Sequence, residues 1–579
     1  MLLRSPSPLR RTTDALLLGI IAAQPALDSL TYWLMTTGRT NWVAYGRAAA
    51  LGLFGALVLL QNNGFDAAKE KRRRWQCIGR WLLAAVWGLY VLGKYPLAAM
   101  LLPGSAFNET ANMLRTMIAP MFTLWLFWHV QEDPAGGAGT ISTGLLWAAG
   151  ILAVLSAASF VTGTYNVTYN YQLLENMPQV HIGFSAWNYS SNAQSIVMAV
   201  LLALCAPMLA QWRRPWAFLA LLAAFGVMMY FQGTRTAYYA MLAVGAALAA
   251  ALLLQFLRRR PVRWWALTAA VALVVLGLAL KPLSPLETVQ QSRQRIRSIA
   301  DYLQQGLLIQ NPDAQHKELL KIDPSATQAA TEQPVPAPTA TAQGAVAAQA
   351  SASPPAMAQT APPAEPSVTE PPAAPPPALA SWDADFRSEV AMFYFPQVNR
   401  DGLYSLRQRA RYDTARMDAA AYRYLQQRLA LPSAQLVDMR RGHRLYVAAA
   451  MEHADALRRF TGFGVTWFND VLGSVEDDYA AVYGYFGILG CLVVFGVVAW
   501  ALWMALRCLR GGLRWRRLRR FLTPEILMDA GLLAMLLGLA RFSGRVFQQG
   551  SVSIYLALAL ALFYCHIRVA AQRTSDDEP

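Results

Sequence analysis

Two patches of this 579-residue chain carry residue types able to do chemistry, and both fall where long apolar runs break. The first is Phe231-Gln-Gly-Thr-Arg-Thr-Ala-Tyr238, with Arg235 at its centre. A guanidinium so close to hydrocarbon is costly, so it needs a partner or a task. Its fixed fork of donors suits a diphosphate; the alternative is an arginine snorkelling to the interface. The second patch is Gly473-Ser-Val-Glu476-Asp477-Asp478-Tyr479, three carboxylates running directly into an apolar run. One of them could serve as a general base. The alternative is an acidic cap that complements a helix dipole, and it is strongest for Asp477 and Asp478.

Further cations lie near hydrocarbon. Lys94 and Arg115 fall inside apolar runs, and Arg541 and Arg545 flank another in Arg541-Phe-Ser-Gly-Arg545. Together with Arg235 they would make one mouth basic and suited to an anionic substrate. Taken singly, each also reads as a helix-end anchor. His443, in Arg440-Arg-Gly-His-Arg444, and His453 show no ligand spacing and default to helical surface histidines. His181 falls in the connection 163–191. No Gly-rich phosphate loop, HExxH or GxSxG occurs. The loops expected on the cytoplasmic side are too short for an ATPase domain, so energy for any reaction must arrive in the substrate or in a gradient.

The elements that must position these residues are membrane helices. Only 15% of residues are charged, against about 25% in a soluble chain, and the mean hydropathy is +0.28. Runs able to cross a bilayer, at about 20 apolar residues each, lie near 14–36, 41–61, 77–102, 111–130, 141–162, 192–211, 216–232, 236–257, 264–282, 479–506, 523–542 and 551–571. The fold class expected is therefore an all-α polytopic membrane protein with about twelve transmembrane helices. The basic start (Arg4, Arg10, Arg11) leads into a run long enough to span, which reads as an uncleaved first helix rather than a signal peptide.

The net charge of +16 would suggest nucleic-acid binding in a soluble protein. Here the basic residues crowd short loops, where they set topology. With the N-terminus cytoplasmic, that side collects about 23 Lys and Arg against about four in the short loops opposite. Both termini then fall inside; the one weak loop, 131–140, has no basic residue. Cys77, Cys205, Cys491, Cys508 and Cys565 lie in or beside the apolar runs with no CxxC spacing, so neither a disulfide framework nor a zinc site is indicated.

The domains expected are 1–282 with nine helices, an extracytoplasmic insert over 283–478, and 479–579 with three helices and a cytoplasmic tail. Within the insert, 286–310 has the pattern of an amphipathic surface helix, inside an amphipathic segment 283–323. Residues 324–381 are Pro/Ala-rich and expected to be a disordered tether. Residues 382–478 are expected to form a helical subdomain at the mouth of the membrane domain.

Four stretches resemble the O-antigen ligase and O-antigen polymerase-like membrane protein superfamily. They are Gln24-Pro-Ala-Leu-Asp28-Ser-Leu-Thr-Tyr32; Gly233-Thr-Arg235; Gly442-His-Arg444 followed by Phe460-Thr-Gly462-Phe-Gly464; and Val475-Glu-Asp-Asp-Tyr479 followed by Tyr485-Phe-Gly487-Ile-Leu-Gly490. The resemblance implies a bacterial inner-membrane glycosyltransferase of the GT-C type, metal-independent and without a cofactor, acting at the periplasmic face. Its donor would be a glycan on undecaprenyl diphosphate, and its acceptor a hydroxyl on lipid A-core, a growing polysaccharide or a protein. Arg235, Arg115, Arg444, Arg541 and Arg545 would bind the diphosphate, and a base would take the acceptor proton with inversion at the anomeric carbon. The chain departs from the resemblance where many ligases carry a His-Asn pair before the tenth span, since Glu476-Asp477-Asp478 stands there. The base is then Glu476, with Asp478 second, or a histidine of the insert, His443 or His453. A transporter or flippase for a lipid-linked or anionic solute, and a non-catalytic envelope assembly protein, are the competing readings; no internal repeat supports the transporter.

Overall fold

The computed structural model describes residues 7–61, 71–101, 106–171, 180–188, 190–211, 215–258, 261–291, 439–466, 468, 475–510, 521 and 523–576, all within one compact unit. Long helices dominate it: α1 Pro8–Thr36, α2 Val43–Gln61, α3 Lys71–Leu101, α4 Ala106–Val130, α5 Pro134–Val161, α6 Ser191–Gln211, α7 Pro215–Phe231, α8 Arg235–Leu257 and α9 Trp264–Ala279. After the insert come α10 Met439–Glu452, α11 Ala456–Thr461, α12 Asp478–Arg510, α13 Pro524–Phe542 and α14 Gly550–Asp576. Each apolar run read from sequence coincides with a helix. Among the described residues eight helices are long and apolar enough to cross a membrane. Helices α7 and α9 are apolar but have 17 and 16 residues, about 25 Å at the helical rise and short of a typical hydrocarbon core.

The bundle is arranged around α6, whose most apolar stretch is 94% buried, and α14, at 72%. Ala193, Ala199, Ala203, Ala206 and Ala210 keep α6 thin, and α5, α7, α8, α13 and α14 close in around it as small residues allow in a membrane bundle.

One departure from an all-helical chain is a hairpin between α5 and α6. Strand β1 Val167–Tyr171 pairs antiparallel with β2 Val180–Phe184, Val167 opposite Phe184 and Asn170 opposite His181. Gly183 sits at φ +84 because the carbonyl of Gln232 and the side chain of Thr168 occupy the space a Cβ would need.

The loop without basic residues also finds its explanation. Arg10 of α1 reaches Glu132 at 3.8 Å and Asp133 at 3.6 Å, so its countercharge comes from a neighbouring helix. Asp133 in turn caps α5, accepting from the amide of Gly136 at 3.0 Å. Of the insert, 286–291 is helical, with Leu286 and Val289 buried; 292–438, including the expected tether and the run 403–430, lie outside the described residues.

Candidate functional site

The break between α7 and α8 is built by polar side chains. Gly233 turns the chain at φ +74, and Thr234 caps α8 by accepting from the amide of Ala237 at 3.0 Å. Ser195 of α6 braces the turn, 3.0 Å from the Gln232 carbonyl oxygen Oε1 and 2.7 Å from the Thr234 hydroxyl. The first helical residue is Arg235, exposed and without an ion pair among the described residues. Its neighbour Thr236 bonds the Ser543 hydroxyl at 3.4 Å, which ties this break to the turn between α13 and α14.

That turn is folded around Asp478. The amides of Arg545, Val546 and Phe547 donate to its carboxylate at 2.7, 2.5 and 2.9 Å, and Gln548 adds its side-chain amide at 2.7 Å. Arg545 adopts φ +70 and Gly544 φ +66, where a Cβ at Gly544 would lie 2.7 Å from the carbonyl oxygen of Glu476. Asp478 therefore holds a nest of backbone donors, with both of its oxygens engaged. This geometry speaks against it as the second choice for a base.

Asp477 does two jobs. Its Oδ1 caps α12, accepting from the amides of Tyr479 and Ala480 at 3.0 and 3.1 Å. Its Oδ2 accepts from Arg444 at 3.2 Å and Arg541 at 3.0 Å, and the carboxylate is fully buried. The cap foreseen from sequence is present, and the two-arginine anchor was not foreseen. Glu476 is different: its side chain is 30% exposed and pairs with Arg440 Nε at 3.0 Å. The Glu476 amide donates to Nδ1 of His443 at 3.3 Å, and His443 is buried. Residues 440, 443 and 444 share one face of α10, which is how one helical turn meets both Glu476 and Asp477. His453 is 10 residues away from His443 by number and bonds its own helix, the Ala449 carbonyl, at 2.9 Å.

A second backbone graft holds this assembly. The Phe463 amide donates to the Gly484 carbonyl at 2.9 Å and the Gly464 amide to that of Tyr485 at 3.0 Å. Helix α12 breaks here, with Gly487 at φ 64, ψ −161, and a Cβ on Gly487 would lie 2.5 Å from the Phe460 carbonyl oxygen. The groups freed by the break are thus satisfied inside the protein, as a membrane helix requires. Glu109 of α4, buried, accepts from the amides of Val465 and Thr466, both at 2.8 Å. Lys94 of α3 donates to the Thr461 carbonyl.

Beside these elements lies a polar cavity of about 300 Å³ between α1, α2, α4 and α14. Arg115, Arg545, Val475 and Tyr485 line it, so the residue before Glu476 forms part of its wall. Arg115 is steadied by Asn112, which accepts from it at 2.8 Å. Two of the arginines picked from sequence thus meet in the cavity, two more meet on Asp477, and Arg235 stands apart at an exposed break. Glu109, Asp28, Arg47 and Arg440 were missed as participants. Asp28 lies in one of the stretches that carry the resemblance, but an apolar run without a charge of opposite sign carries no sign of its partner.

Compared with described protein families, with curated proteins and with solved structures, the chain matches none of them.

Proposed function

We propose that this protein is a twelve-span bacterial inner-membrane glycosyltransferase that moves a glycan from undecaprenyl diphosphate to a hydroxyl acceptor at its periplasmic face. The observation that carries the reading is the division of labour among three adjacent carboxylates beside a basic cavity. Asp477 and Asp478 are buried and saturated by donors, while Glu476 keeps solvent exposure and stands next to the cavity wall. Glu476 is assigned as the base, with Arg440 and His443 orienting it. The acceptor O–H gives its proton to Glu476, the oxygen attacks the anomeric carbon, and the sugar–phosphate bond breaks with its electron pair leaving on the diphosphate. Arg115 and Arg545 in the cavity, and Arg235 at its break, meet the charge that develops there. Arg444 and Arg541, already paired with Asp477, fix the base's backbone and extend the basic field. No step needs a metal or ATP, because the diphosphate leaving group supplies the driving force.

One observation favours a transporter instead: the break in α12 at Gly487 is of the kind that lines substrate sites in transporters. The two readings separate in detergent, where no compartments exist. Purified protein with an undecaprenyl diphosphate-linked oligosaccharide, a panel of acceptors and EDTA yields a glycosylated product if it is a transferase. It yields none if it only translocates. Product length then distinguishes single ligation from polymerisation.

A further inference from the structure

Helix α11 rests on two apolar helices at one level of the bundle. The Thr461 carbonyl accepts from Lys94 of α3, and the Phe460 carbonyl oxygen sits against Gly487 of α12. Each of these helices measures the distance from that contact to its opposite, basic end. On α3, Lys94 is 20 residues from Arg74, about 30 Å at the helical rise. On α12, Gly487 is 20 residues from Arg507, again about 30 Å. That is the thickness of a hydrocarbon core. The far ends carry interfacial anchors: Arg74 beside the exposed Trp75 on α3, and Arg507 stacked over Trp503 at 5.2 Å on α12. Counted from those anchors, α11 stands at the opposite face of the bilayer.

The part of α12 that crosses begins at the break. Tyr479 and Phe495 have ring centroids 5.3 Å apart, whereas a straight helix would hold residues so spaced about 24 Å from each other. The segment before Gly487 therefore runs back along the segment after it, with Val482, Tyr485 and Phe486 buried. Past the break the surface turns outward: Ile488 and Leu492 are exposed, as are Leu89 and Leu92 on α3. These are the lipid-facing residues of two crossing helices. Helix α11 continues that surface. Leu457 and Phe460, three apart and so on one side of the helix, are 53% and 48% exposed. Its other side is fixed in the protein, where Arg458 is buried and its amide donates to the capping Asp455 at 2.7 Å.

We infer that α11 is an interfacial anchor, seated at the headgroup–acyl boundary on the bilayer face remote from Arg74 and Arg507. Leu457 and Phe460 enter the acyl boundary, and Arg459, exposed beside them, lies level with the lipid phosphates. The partner is the lipid surface itself, because the patch is continuous with helix faces that already meet lipid. The anchor sets the height of the stretch 462–466, which α12 and Glu109 hold by its backbone, and through it the height of the candidate site. The inference needs α3 and α12 to cross a bilayer and does not need the transferase reading.

The test uses the full-length protein in liposomes of phosphatidylethanolamine and phosphatidylglycerol. Leu457, Phe460 and Leu492 are replaced singly by p-benzoylphenylalanine, a photo-crosslinking residue that exposed positions accommodate, and the adducts formed on illumination are identified by mass spectrometry. Leu492 is the lipid-facing reference. The expected result is a yield of lipid adduct at 457 and at 460 of at least about one-third of that at 492. A lower yield at either position overturns the assignment. Adducts from 457 and 460 to the chain's own residues 292–438, which lie outside the described residues, overturn it as well and name that segment as the cover. So does the absence of lipid adducts at all three positions, which removes the lipid-facing surface that α11 continues.

Discussion

Asp477→Asn tests the anchor that holds the arginines at the candidate site. The substitution keeps an oxygen able to cap α12 but removes the charge from a group that is fully buried. Two bonds lose their ionic character, those from Arg444 at 3.2 Å and Arg541 at 3.0 Å. A hydrogen bond to a charged group contributes about 1.5–3 kcal/mol. Here the arginine side chains are 28% and 50% exposed, so water recovers much of their solvation and the pair is worth less than a buried one. The combined loss expected is about 2 kcal/mol, the larger share through Arg444. Asp477→Ala also gives up the cap and falls about 1 kcal/mol further. Unfolding by denaturant in mixed micelles, followed by fluorescence, measures both. Double-mutant cycles with Arg444→Gln and Arg541→Gln then apportion the coupling. An Asp477→Asn variant within about 0.5 kcal/mol of wild type, with no coupling in either cycle, would refute the argument that this carboxylate anchors the site.

Arg235→Ala separates task from structure. The side chain is exposed and has no ion pair among the described residues, so stability stays within about 0.5 kcal/mol while transfer is abolished in the detergent assay. Gly487→Ala places a Cβ 2.5 Å from the Phe460 carbonyl oxygen, and the cost of about 1–3 kcal/mol for a backbone at φ 64, ψ −161, a region essentially confined to glycine, appears as a lower unfolding midpoint. Asp478→Asn turns an N–H donor toward the amides of Val546, Phe547 or Arg545. It is expected to lose about 1–3 kcal/mol, and proteolysis of the 541–550 turn should accelerate with it.

Much of the helical frame was legible because apolar run length and helix length report the same constraint. The break at Arg235 was legible too, since Gly233 and Thr234 are turn and cap residues in an otherwise apolar stretch. The graft of Phe460–Gly464 onto α12 was not. It depends on positive-φ glycines at 462, 464 and 487 meeting across the fold, and no local periodicity encodes which carbonyl an amide will find. The Asp28–Arg47 pair was hidden for a similar reason: neither apolar run contains a charge of the opposite sign, and only the packing of α1 on α2 makes them partners. Among Glu476, Asp477 and Asp478 the residue types are nearly equivalent, so their separate roles emerge only from what donates to each. The small hairpin at 167–184 escaped because two five-residue strands leave little alternation to detect.

The most direct test of the account compares transfer by wild-type protein and by Glu476→Gln, using undecaprenyl diphosphate-linked oligosaccharide and acceptor in EDTA. The variant loses the proton acceptor and keeps the size and a donor-acceptor for Arg440's surroundings. The account predicts transfer by wild type and a fall of at least about 100-fold in the variant, with undecaprenyl diphosphate binding retained. Undiminished transfer by Glu476→Gln would contradict the assignment of the base, and no transfer by wild type to any acceptor would contradict the enzyme itself.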